Sequence, residues 1–118
     1  MSSSEHLEQI SFINWFKLTY KDFIIFSIPN GEYRHASIAV RLKAEGLTAG
    51  IPDMAILMPK GKMIFIEMKK TKGGILSKSQ KDIIPKIENL GFTVLIGYGF
   101  LDAKTKFENY LLQKVTLD

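Results

Sequence analysis

Asp53, Glu67 and Lys69 stand in or beside the most apolar sequence of the chain, GIPDMAILMPKGKMIFIEMKKTKGG, from Gly50 to Gly74. Charge inside a buried strand is costly unless it is paired or coordinated. These side chains therefore either point to solvent or converge on something cationic. KMIFIEMKK reads as a strand, and side chains alternate faces along a strand. Ile64, Ile66 and Met68 then share one face, and Met63, Phe65, Glu67 and Lys69 the other. Glu67 and Lys69 point the same way, about 7 Å apart along the strand. Asp53 opens the preceding strand, MAILMP, and a turn at Lys60 and Gly61 folds the two into a hairpin. With those two residues at the turn centre, Asp53 faces about Met68.

Two carboxylates and an ammonium in one place suit metal-assisted phosphodiester hydrolysis. All-oxygen ligands favour a hard cation such as Mg²⁺ or Mn²⁺. The ion polarises a phosphate and acidifies a water, and the lysine stabilises developing charge. The competing reading, a solvated Glu–Lys pair on an exposed sheet face, stays open at the level of spacing.

The surrounding sequence supplies elements to position these residues. Ser2 to Ser4 offer N-caps, Glu5 and Glu8 lie in or near a first turn, and apolar residues (Leu7, Ile10, Ile13 or Asn14, Phe16 or Leu18) recur at helical spacing, which predicts a helix over 4–20. DFIIFSIPNG predicts a strand closed by a turn at Asn30 and Gly31, and RHASIAVRLKAEG a short helix ending at Gly46. Ser77 or Ser79 caps a helix reaching about Leu90, and Pro85 should kink it or move its start later. FTVLIGY is a buried strand, which the helical crossover allows to run parallel to the one at 62–69. LDAKTKFENYLLQ is a last amphipathic helix. Strands interleaved with helices predict an α/β fold with a mixed central sheet flanked by helices.

The chain's 118 residues suit one domain, and 46% hydrophobic residues can build its core. A net charge of +4 fits a nucleic-acid partner. With no cysteine, disulfides and thiolate zinc sites are excluded, and a reducing cytoplasm is compatible. The polar start MSSSEHLEQ does not read as a signal peptide, and no apolar run is long enough for a membrane span. Gly97 and Gly99 bracket Tyr98 without the spacing of a dinucleotide loop. Arg34, beside His35, is placed to meet phosphate. Lys70, Lys72 and Lys78 flank the exit of the site, and Arg41 and Lys43 lie on the short helix, as a rim that could follow a nucleic-acid backbone or simply face solvent. His6 reads as an exposed neighbour of Glu5. Trp15, Phe12, Phe16 and Phe26 read as core rather than as stacking platforms.

GIPD, then FIEMK, then LSKSQKDI, preceded by SEHLEQISFINWF, SIPNGEYR and RLKAEGLTAG, resemble in order and spacing the VRR-NUC domain of the PD-(D/E)XK nuclease superfamily, over roughly residues 5 to 113. The resemblance implies a restriction-endonuclease-like fold in a single domain over 1–118. It implies Asp53, Glu67 and the Met68 carbonyl as ligands of Mg²⁺ or Mn²⁺, and Lys69 as the catalytic lysine. Glu5 with Gln9 one turn on would be the helix-borne pair, with Glu8 as the competing acid, and Gln80 the glutamine at the helix start. It further implies a nuclease cutting branched or junction DNA as a homodimer, in a bacterial or phage setting. Two readings of another class accompany it: a basic DNA-binding module without turnover, and a subunit of a repair or recombination assembly.

Overall fold

The computed structural model describes residues 3–29 and 35–117. Among them, the order is helix α1 (Ser3–Thr19), strand β1 (Ile24–Ser27), helix α2 (Ala36–Ala44), strand β2 (Met54–Met58), a 3₁₀ turn (Pro59–Gly61), strand β3 (Lys62–Lys69), helix α3 (Lys78–Asn89), strand β4 (Thr93–Tyr98) and helix α4 (Phe100–Leu117). The four strands form one sheet in the order β1-β2-β3-β4. The first three are antiparallel neighbours, and β4 joins β3 in parallel through the α3 crossover. The mixed sheet with helices on its faces is the α/β architecture expected from the sequence. No helix among the described residues is long and apolar enough to cross a membrane. The turn expected at Asn30 and Gly31 and the phosphate contact expected of Arg34 lie outside the described residues.

The two faces of β3 are as period two dictates. Ile64, Ile66 and Met68 pack with Ile25, Met54 and Ile56 of the sheet and with Phe12, Phe16, Ala103 and Phe107 of α1 and α4. Phe65 packs on the opposite face with Ile84, Ile87 and Val94, beneath α3. On α1 the buried stripe runs through Phe12 and Phe16, with Trp15 beside them, while Leu7 and Leu18 are exposed. Phe26, expected in the core, is 41% exposed. Its strand is the sheet's edge, and α3 covers the far side of the sheet near β3 and β4.

The hairpin register differs by one residue from the expectation. Lys60 and Gly61 both take positive φ (65° and 71°) inside a three-residue turn, and the last pair is Met58 with Lys62. A turn centred between Lys60 and Gly61 would have placed Asp53 opposite Met68. The longer turn puts Met54 opposite Ile66, so Asp53, one residue further out, stands level with Glu67. Helix α3 begins at the earlier of its two caps. It runs on through Pro85, which is exposed, so the carbonyl deprived of its N–H partner belongs to the solvent side.

Candidate active site

The C-terminal half of β3 carries the site. Glu67 is 2% exposed and Lys69 9%, and Asp53 at the head of β2 is 8% exposed. The solvated-pair reading is therefore excluded: these charges are inside the protein and directed to the α3 face of the sheet.

Each is held by a specific partner. The main-chain N–H of Met68 donates to Asp53 Oδ2 at 2.8 Å, which fixes the aspartate across the hairpin. Gln80 Nε2 donates to Glu67 Oε2 at 3.0 Å. Lys69 Nζ lies 3.7 Å from the same oxygen, a charge contact longer than a hydrogen bond. Glu67 Oε1 is buried and has no hydrogen-bond partner, and neither has the buried Oε1 of Gln9. A buried acceptor without a donor is costly and calls for a proton, a water or a cation.

Gln80 is aimed by the local sequence. Ser77 caps α3, and its side chain accepts from the Gln80 N–H at 3.2 Å. The Gln80 side-chain oxygen in turn accepts from the Ser77 N–H at 2.8 Å. This reciprocal capping box consumes the amide's acceptor and turns its N–H toward Glu67. Gly50 brings the loop against the same helix start. A Cβ there would come within 2.5 Å of the Ser79 backbone, and φ is +84°, so only glycine fits. The family-like glycine of GIPD thus locks the Asp53 loop onto the turn that carries Gln80.

Burial is the main cause of the electrostatics. It pushes the Asp53 carboxyl upward, against the pull of the Met68 N–H and the Lys69 charge, and the Glu5 charge adds to the rise. Burial first, then the adjacent Asp53 charge, pushes Glu67 up to about 8, with Lys69 working in the opposite direction. At neutral pH the two carboxyls do not both ionise, as for like charges sharing one site. One carboxylate then faces one ammonium.

Sequence reasoning left Glu5 and Glu8 as rivals, and their surroundings differ. Glu8 Oε1 accepts from the Phe100 N–H at 2.7 Å and so caps α4. It also lies where a Cβ on Gly99 (φ +92°) would touch it, at 2.9 Å. Glu5 is the acid whose charge reaches Asp53. Among the described residues no three His, Asp or Glu side chains gather closely enough to hold an ion. The carboxylates gathered at the centre are accordingly two, Asp53 and Glu67. Lys70, Lys72 and Lys78 are exposed around the end of β3 and the start of α3, and Arg41 and Lys43 are exposed on α2, none of whose residues is buried. The cap made by Glu8 and the Met68 N–H bond to Asp53 were missed from the sequence. The second follows directly once the hairpin register is known.

The VRR-NUC domain matches this chain over residues 3–100. A solved structure described as a VRR_NUC domain protein is similar in fold, with a TM-score of 0.71 over 93% of this chain and 89% of that chain at 23% identity. No curated protein matches significantly. With the matched segment spanning most of its length and containing GIPD, FIEMK and the Gln80 helix start, the chain belongs to the VRR-NUC domain family of nucleases.

Proposed function

We propose that this protein is a metal-dependent DNA endonuclease, a single catalytic domain that hydrolyses phosphodiester bonds in branched DNA as a homodimer. The observation that carries the reading is the buried Asp53–Glu67–Lys69 cluster, in which Glu67 is held to a high pKa and keeps one oxygen without a partner. Such a cluster is expensive to bury and contributes nothing to packing that Ile or Met would not, which supports a role in chemistry.

The donor set fits a hard divalent ion: oxygen atoms only, two adjacent buried carboxyls that a cation would let ionise together, and the Glu67 Oε1 without a donor. Asp53, Glu67 and the Met68 carbonyl would hold Mg²⁺ or Mn²⁺, which supplies Lewis acidity at the phosphate and a more acidic water. The chain's own groups do the rest. The Met68 N–H fixes Asp53, and Gln80 occupies Glu67 Oε2 so that Oε1 is left for the centre. Lys69, 3.7 Å from Glu67, places a positive charge where the pentavalent phosphate becomes more negative. Glu5 and Gln9, one turn apart on α1, close the helix-borne side. The exposed Lys70, Lys72 and Lys78 follow the phosphate backbone as it leaves the site. A domain of this size has little surface for reading base sequence, which favours recognition of DNA shape. A two-fold dimer would set two centres on the two strands of a symmetric junction.

Cleavage of labelled linear duplex, flap and four-way junction, each with Mg²⁺, Mn²⁺ or EDTA, tests this. Metal-dependent cutting with preference for a branched substrate is expected. Tight binding without cutting under every metal condition would overturn the enzyme reading in favour of a DNA-binding module.

A further inference from the structure

A groove of about 340 Å³ runs between α1 and the edge strand β1. One stripe of the helix, His6, Gln9, Ile10, Asn14 and Lys17, forms one wall, and Ser27 belongs to the other. The strand side is unusual in what it offers. Ile28 N–H bonds to Asp53 O, and in an antiparallel pair such bonded positions alternate. Ile25 and Ser27 therefore turn their main-chain N–H and C=O away from β2, and β1 has no other neighbour in the sheet. The helix side adds the exposed charge of Lys17, the exposed amide of Asn14 and the buried, unpartnered Oε1 of Gln9. Ser27 is followed by Ile28, whose N–H bonds the Asp53 carbonyl, so this end of the groove adjoins the segment that carries Asp53.

We propose that this groove is a subsite for an unpaired nucleotide of the substrate strand, next to the scissile phosphate. Its size suits one small, flat ligand. Its chemistry is mixed in the way a nucleotide needs. Donors and acceptors in the Gln9, Asn14 and edge-strand groups meet a base edge, apolar surface that includes Ile10 meets the base plane, and Lys17 and His6 face the phosphate. A peptide strand could use the same open edge, but nothing in its hydrogen bonding needs a cation, and the groove's place beside the segment that carries Asp53 favours the nucleic acid. The inference rests on the DNA-cleaving reading for the identity of its occupant. It adds that selection of branched DNA comes from unpaired nucleotides captured beside the site.

The test is fluorescence anisotropy in EDTA with a splayed-arm duplex and a blunt duplex of equal length. The proteins are wild type, Asn14→Ala/Lys17→Ala, Ile10→Ala, and Lys21→Ala, which removes a charge outside the groove. The groove variants should lose about tenfold in affinity for the splayed DNA and less than about twofold for the blunt duplex. Lys21→Ala should weaken both equally and slightly. Unchanged binding of both DNAs by the groove variants, as expected if a peptide is the occupant, would overturn the subsite, as would equal losses on both. Cleavage assays on the same proteins separate the two ideas. Wild type that binds splayed DNA through the groove but never cuts sinks the nuclease reading alone. Wild type that cuts while the groove variants match it sinks the subsite alone.

Discussion

The two faces of β3 both bury side chains and are chemically opposite. On one, Ile64, Ile66 and Met68 are at most 1% exposed and pack in an apolar cluster. On the other, Phe65 gives way within two residues to Glu67 and then Lys69, also inside the protein. The first face repays its burial by removing apolar surface from water. The second must be offset by specific contacts, from Gln80, Lys69 and the Met68 N–H, and still leaves Glu67 Oε1 unsatisfied. Burial alone therefore does not mark a core. What distinguishes the two faces is whether their cost is covered within the folded protein, and the shortfall at Glu67 is what supports the proposed site.

The contrast can be broken from either side. Glu67→Ala should reduce cleavage below detection under every metal condition, while the protein stays folded by circular dichroism. Ile66→Ala, two atoms of backbone away on the other face, should do the reverse. It should cost about 2–5 kcal/mol in urea denaturation, with cleavage per folded molecule close to wild type below the transition. Gly50→Ala should fall between them. With φ at +84° and the Ser79 backbone 2.5 Å from the new Cβ, it should lose about 1–3 kcal/mol and cleave more slowly, because the clash displaces the turn that aims Gln80. Gln80→Ala should have the smallest effect of the four, about a tenfold fall in kcat with KM little changed, since it positions Glu67 without touching substrate.

The same strand also shows what a sequence exposes and what it hides. The division of β3 into an apolar and a mixed face was legible because strand periodicity is local. So was the parallel pairing of β4, because a helical crossover leaves few alternatives. The register of the hairpin was not, since it depended on Lys60 accepting a positive φ that pattern alone assigns to glycine. Phe26 looked like core because its strand is apolar. Its exposure comes from strand order, which its own neighbours in sequence do not encode. Glu8 is the sharpest instance: it caps a helix whose first residue is 92 positions away, so only the folded chain separates it from Glu5. Local pattern thus placed the candidate cluster on β3, while a long-range contact showed which acid on α1 is engaged in capping α4.

The claim that Glu67 is held for chemistry at the expense of stability is tested most directly by denaturing wild type and Glu67→Gln without metal across a pH series. In the unfolded chain Glu67 ionises near 4.5, and in the folded one near 8. The folded protein binds the extra proton between those values, so wild-type stability should fall as pH rises through that window. Glu67→Gln, a permanent mimic of the protonated side chain, should match wild type near pH 4, below the unfolded value, should be the more stable of the two above pH 8, and should not cut DNA. A Glu67→Gln protein destabilised by the same amount at every pH, as a core substitution would be, would contradict the account.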